Sequence, residues 1–212
     1  MQIDFISDVA CPWCAVGLHS LDKALAALGP EVPVTLRFQP FELNPTMGPE
    51  GDSIVAYLGR KYGISEAQIR QNQVAIRERG AAVGFQFGER NRVWNTFDAH
   101  RLLHWAGLQG GGQQHALKLA LLQAYHGEGR NPGDAEVLVD LATQVGLDAT
   151  QAREILAGDA YAAEVRAAER EWAEAGIQSV PSVVIDGRHL IQGAQPPEVF
   201  AQALRQLAAR PD

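Results

Sequence analysis

The 212-residue chain holds just two cysteines, Cys11 and Cys14, and where they fall constrains the fold more than any other feature. Two cysteines cannot staple a disulfide-rich scaffold, and they cannot form a four-cysteine zinc site within one chain. Ile3, Phe5 and Val9 alternate with polar Asp4, Ser7 and Asp8, so residues 2–7 read as a short strand. Leu18, Leu21, Leu25 and Leu28 then recur at spacings of three and four, as an amphipathic helix requires, and Gly29-Pro30 stops it. Pro12 suits the first helical turn, where its missing N–H costs nothing. Cys11 therefore stands at the helix start, beside unpaired N–H groups, with Cys14 one turn in. That placement favours an exposed thiolate at Cys11 more than at Cys14.

Residues 32–43 read as a second strand, with Pro33 at its start or on an edge. Strand, helix and strand of these lengths predict a parallel βαβ opening. Residues 50–176 carry no convincing strand. Caps at Asp52, Ser65, Thr96, Asp134, Asp148 and Asp159 mark a succession of helices instead. Ser65 with Gln68 has the spacing of a capping box. Strands return in residues 180–193, with Asp186-Gly187 as a hairpin turn, and a helix over 197–207 follows. The predicted fold is a four-stranded α/β domain split by an all-helical insertion. Its parts are residues 1–49, an inserted domain at 50–176, and residues 177–212.

A Cys-x-x-Cys pair at a helix start after a strand is a redox arrangement. Cys11 attacks a disulfide, a mixed disulfide forms, and Cys14 resolves it. Trp13, between the two, presents an aromatic surface to substrate. Val180-Pro181 precedes the hairpin, and a cis Pro181 is expected there, leaving neighbouring backbone groups for an extended peptide. A buried carboxylate can take the Cys14 proton; Asp4 is the first choice, with Asp8 bracing the loop. His100 and His104 share a helix face at a zinc-compatible spacing, but no third ligand accompanies them, so no metal is expected. His104, Trp94, Trp105 and Trp172 read as packing residues.

Lys and Arg number 18 against 25 Asp and Glu, a net charge of −7, which speaks against nucleic-acid partners. No apolar run is long enough to span a membrane. The acidic start lacks a basic region followed by an apolar one, so a cytoplasmic protein is expected.

These residues resemble the DsbA-like branch of the thioredoxin superfamily, and more narrowly the FrnE-type dithiol–disulfide isomerases. The matching segments are Asp8-Val9-Ala10-Cys11-Pro12-Trp13-Cys14, Asn95-Thr96-Phe97-Asp98-Ala99-His100-Arg101-Leu102, Val180-Pro181-Ser182 and Gly193-Ala194-Gln195-Pro196. The resemblance implies a thioredoxin-like fold with an inserted helical domain, and a thiol–disulfide oxidoreductase or isomerase acting on protein or peptide thiols. It implies Cys11 as nucleophile, Cys14 as resolver and Pro181 as catalytic neighbour. Pro12, Trp13, Val180, Asn95 and His100 are the implied substrate-binding residues. No tightly bound cofactor is implied beyond a redox-active Cys11–Cys14 disulfide. The second, C-terminal cysteine pair of some members is missing here.

The same branch contains 2-hydroxychromene-2-carboxylate isomerases and kappa-class glutathione transferases, whose nucleophile position is usually serine. It leaves glutathione as a candidate reductant, and a glutathione-dependent small-molecule isomerase or transferase as the alternative function. A peptide-binding or chaperone-like module is a third. Monomer and homodimer are both open.

Overall fold

β1 (Gln2–Ser7) sorts its side chains by parity. Ile3 and Phe5 face one layer, packing with Leu18, Leu21, Phe200 and Leu204. Ile6 faces the other, beside Val184, Ile177 and Trp172. In this computed structural model, which describes residues 1–29 and 32–209, α1 (Pro12–Leu28) follows β1 and β2 (Thr35–Pro40) lies parallel to it. β5 (Ser182–Ile185) runs antiparallel on the other side of β1, and β6 (His189–Gln192) completes the sheet in the order β2-β1-β5-β6. α9 (Pro197–Ala208) closes the layer against α1. This is a thioredoxin-like α/β core.

The hairpin turn has the predicted chemistry. Asp186 (φ 50°) and Gly187 (φ 66°) both sit in left-handed conformations, and the Asp186 carboxylate accepts a hydrogen bond from the Gln2 N–H at 2.6 Å. At the end of α1, Gly29 takes φ 67°, as that stop requires; Pro30 lies outside the described residues. β2 is shorter than residues 32–43, because its pairing with β1 starts at Thr35 and ends at Pro40. Pro33 precedes the strand, where its carbonyl accepts a bond from the Met1 amino group.

A large helical segment lies between β2 and β5. It comprises α2 (Ile54–Tyr62), α3 (Glu66–Val83), α4 (Phe97–Gln109), α5 (Gln113–Leu122), α6 (Ala135–Gln144), α7 (Ala149–Ala157) and α8 (Ala162–Glu174). A π-helical turn, Gln123–Gly127, extends α5. Its core, with Leu102, Trp105, Tyr125, Leu138 and Ile155, also takes in Val9 and Ala10 from the loop before the cysteines. The insertion and the sheet domain therefore share that loop. Gln114 of α5 covers the outer edge of β2: its amide accepts from Phe38 N–H and donates to Phe38 O, each at 3.1 Å. Among the described residues, no helix is long and apolar enough to cross a membrane.

Local caps hold where the helix start is a local event. Asp134 accepts from the N–H groups of Glu136 and Val137, Asp148 from Gln151, and Ser65 from Gln68; such a cap stabilises a helix by about 1 kcal/mol. Three predicted caps are corrected. Asp52 lies in a short strand, β3 (Asp52–Ser53), antiparallel to β4 (Arg92–Val93), so residues 50–176 are not wholly without strand. Its carboxylate meets Arg60 instead of capping. Asp159 caps nothing; α8 begins after Tyr161 (φ 63°). The loop before it is held by Arg101, which donates to the carbonyls of Gly158 and Ala160 at 2.7 and 2.9 Å. Thr96 precedes α4, but its hydroxyl is spent on Asp8.

Candidate active site

Cys11 is the residue just before α1 (φ −86°, ψ 115°), and Pro12 opens the helix. The Cys14 N–H donates to Cys11 O at 3.1 Å, closing the first turn. Both thiols are free. Cys11 is 5% exposed and Cys14 fully buried, so the expected exposed thiolate is corrected to one reached only through a cleft. The Cys11 thiol points at Val180 O, 3.7 Å away.

The two thiols are pushed in opposite directions. The Cys14 side chain hydrogen-bonds to Cys11 and lowers its pKa against the effect of burial, assisted by backbone N–H groups of Cys14 and Trp13. Burial pushes Cys14 well above the usual thiol range, and the Cys11 sulfur adds to it. Thiolate character is therefore concentrated on Cys11.

In front of the pair lies a cleft of about 710 Å³. Cys11, Pro12, Trp13 and Val180 form one wall; α2, α3 and the turn between them form the other, with Ile54, Tyr57, Leu58, Ile64, Ile69 and Ile76. Trp13 is 38% exposed at the rim. The Val180–Pro181 peptide bond is cis. Pro181 is buried and packs directly on α1 at Gly17, where a Cβ would lie 2.9 Å from Pro181 Cγ. Only a residue without a side chain admits that approach.

Behind the pair is a buried polar cluster. Asp8 is fully buried, and its carboxylate accepts from Ala10 N–H (3.0 Å), Leu43 N–H (2.7 Å) and the Thr96 hydroxyl (2.7 Å). Burial works to raise its pKa, but His100 and the two N–H groups outweigh it and hold the group below the usual carboxylate range. His100 Nε2 stands 3.5 Å from Asp8 Oδ1. His126 hydrogen-bonds through Nε2 to Val9 O at 2.8 Å, and burial drives its pKa well down. Lys118 of α5 is fully buried, and burial lowers its pKa.

Of the residues singled out from sequence, Cys11, Pro12, Trp13 and Val180 come together at the cleft, with Cys14 and Pro181 behind its wall. Asn95 does not join them. It lines a separate depression with Met47, Trp94 and Asp98, and its side-chain carbonyl accepts from Phe97 N–H at 2.8 Å, capping α4. His100 lies behind the pair, 2% exposed, and lines a small cavity with Lys118 rather than the cleft. Asp4 is far from a proton-relay position. It sits on the sheet face opposite α1, gripped by Arg37 Nε and Nη2 at 2.9 Å each, and Asp8 takes the place beside the cysteines.

Sequence reasoning missed Lys118, His126 and the α2–α3 wall. Gln114, Leu117, Lys118, Leu121, Leu122 and Tyr125 follow helical spacing, so the stripe itself places Lys118 on an inward face. The wall had no such signal, because its residues meet the cysteines only through tertiary packing.

Residues 2–205 match the DSBA-like thioredoxin domain family. A probable DsbA oxidoreductase from Streptomyces coelicolor is 40% identical, with a TM-score of 0.92, over 100% of this chain and 92% of that one. The uncharacterized protein YwbO of Bacillus subtilis is 28% identical over 205 residues, 96% of each chain. Two solved structures at 18% identity share the fold. One is a 2-hydroxychromene-2-carboxylate isomerase, with a TM-score of 0.76 over 98% of this chain and 96% of that one. The other is the cytosolic disulfide reductase DsbM of Pseudomonas aeruginosa with GSH, with a TM-score of 0.69 over 98% and 100%.

Proposed function

The chain belongs to the DSBA-like thioredoxin-domain family, and from that premise we propose that it is a thiol–disulfide oxidoreductase or isomerase of protein and peptide thiols. A Cys-x-x-Cys pair in this fold makes it a thiol-based redox enzyme. In the proposed cycle the Cys11 thiolate attacks a substrate disulfide from the cleft side. The substrate S–S bond breaks, one substrate sulfur leaves as thiol, and the other is held on Cys11. Cys14 then attacks Cys11 Sγ, releasing the second thiol and closing the Cys11–Cys14 disulfide. Run backwards, the cycle oxidises a dithiol; run without net change, it isomerises.

One observation carries this reading: Cys11 borders the large cleft with its pKa lowered, while Cys14 is sealed with its pKa raised. An attacking thiol needs both access and thiolate character, and a resolving thiol needs neither until the mixed disulfide exists. Pro12, Trp13 and Val180 are the proposed substrate contacts, with Pro181 positioning Val180. The domain division we propose is a catalytic unit of residues 1–49 and 177–212, with 50–176 supplying the far wall of the cleft. The FrnE-type assignment rests on the sequence motifs. Glutathione is the proposed recycling reductant, as GSH accompanies DsbM. The proposed cytoplasmic location rests on cysteine usage: both cysteines of the sequence belong to the redox pair, which leaves none for a structural disulfide.

Insulin reduction and refolding of a scrambled disulfide substrate test the proposal. Cys11→Ser is expected to lose at least about a hundredfold in both. Cys14→Ser is expected to accumulate a mixed disulfide on Cys11. Retained turnover in Cys11→Ser removes Cys11 from the mechanism.

A further inference from the structure

Resolution requires Cys14 to lose a proton in a place closed to bulk water. The neighbouring carboxylate is poorly suited to take it. Asp8 already accepts three hydrogen bonds, has His100 beside it, and is held in its ionised form. His126 already hydrogen-bonds Val9 O through Nε2. Its Nδ1 is unpartnered, but its ring packs against Phe87 and Tyr125. Lys118 Nζ is fully buried, makes no hydrogen bond to any group among the described residues, and acts on Cys14 through its charge. A buried amine left in that condition costs stability, so its retention asks for a reason.

Its place in α5 supplies one. One turn before it, Gln114 is bonded to Phe38 of β2. One turn after it, Leu122 packs in the same cluster as Cys11, Cys14 and Phe38. Lys118 is thus aimed between β2 and the cysteine helix. A cavity of about 20 Å³ adjoins it, bounded by Gln39, Pro40, His100 and His104. That is room for roughly one water molecule. The titratable groups around the amine are Cys11 and Cys14 of α1, Asp8 of the preceding loop, His100 and His104 of α4, and His126 of the π-helical turn.

We propose that Lys118 is the proton acceptor of the resolving thiol: its neutral amine takes the Cys14 proton, and the ammonium so formed offsets the Cys14 thiolate. The inference rests on the reading of Cys14 as resolver. Burial disfavours the charged form of each group alone, which lowers Lys118 and raises Cys14. Transfer between them creates an ion pair without changing the net charge of the buried site, which is the cheaper route to a thiolate there. The Cys14 thiolate then attacks Cys11 Sγ of the mixed disulfide. The bond from Cys11 to the substrate sulfur breaks as the Cys11–Cys14 bond forms. The pair is oxidised and the substrate sulfur is reduced; the released substrate thiolate takes a proton from water in the cleft, and the ammonium gives its own proton up through the cavity behind, so the protons balance.

The test is stopped-flow reaction of the reduced protein with 5,5′-dithiobis(2-nitrobenzoate). The first nitrothiobenzoate is released by Cys11 attack, at a rate that depends on reagent concentration. The second is released by Cys14, at a rate that does not. Lys118→Met and Lys118→Gln are expected to leave the first phase within about twofold. They slow the second about tenfold or more near neutral pH and move its pH profile upward. Lys118→Met is also expected to melt higher, since it replaces a buried amine with an apolar side chain of similar length. Lys118→Gln gives the same readout should the Met variant fold poorly. An unchanged second phase, or both phases slowed alike, overturns the role of Lys118 while leaving the cysteine cycle standing. A wild-type protein with no concentration-independent second phase overturns the resolving role of Cys14, and this proposal with it.

Discussion

The front and the back of the cysteine pair are built from opposite materials. In front is an apolar cleft whose far wall comes from α2 and α3. Behind is a closed polar cluster in which Thr96, His100 of α4 and Lys118 of α5 surround Asp8. The thioredoxin-like core contributes the thiols, and the insertion contributes most of what surrounds them on both sides. Access and proton control are thereby assigned to different helices of one insertion, so each can be perturbed separately.

The strongest perturbation of the back is Thr96→Val. It removes a 2.7 Å hydrogen bond to a buried carboxylate and is expected to cost about 1.5–3 kcal/mol in chemical denaturation at pH 7. The pH dependence follows from the same group. The Asp8 pKa is lower in the folded state than in the unfolded one. Its stabilising contribution is therefore present above the unfolded value of about 3.9 and is lost as pH falls through the folded value. Thr96→Val narrows that gap, so its loss of stability on acidification is expected to be shallower than the wild type's. Equal stability and equal acid slopes would show that the back cluster is not braced through Asp8.

A smaller effect is expected at the front. Ile76 is half-buried on the cleft wall. Ile76→Asp is expected to reduce kcat/KM for an apolar peptide disulfide about tenfold, the loss of one partly buried aliphatic contact. Alkylation of Cys11 by iodoacetamide, which needs no such contact, stays within about twofold. A variant that slows both equally has damaged the thiol and not the cleft.

The part of this comparison that was legible in the sequence is the local part. The Cys-x-x-Cys spacing, the Asp186-Gly187 turn and the caps at Asp134 and Asp148 are decided within a few residues, and they hold. Asp52, Thr96 and Asp159 have the same cap chemistry, but Asp52 pairs with Val93, Thr96 with Asp8, and Arg101 organises the loop at Asp159. Nothing near them in the chain announces those partners. Asn95 and His100 were assigned to the cleft through the family motif, and both lie elsewhere: Asn95 caps α4, and His100 backs Asp8. Asp4 against Asp8 turned on strand parity, which became readable only once Arg37 was seen opposite Asp4.

The central claim is that the two thiols, three residues apart, differ in access and in thiolate character. Time-resolved iodoacetamide labelling of the reduced protein at pH 7, read by peptide mass spectrometry, measures both at once. Cys11 is expected to label first, at least about tenfold faster than Cys14. Equal rates, or Cys14 first, would contradict the account.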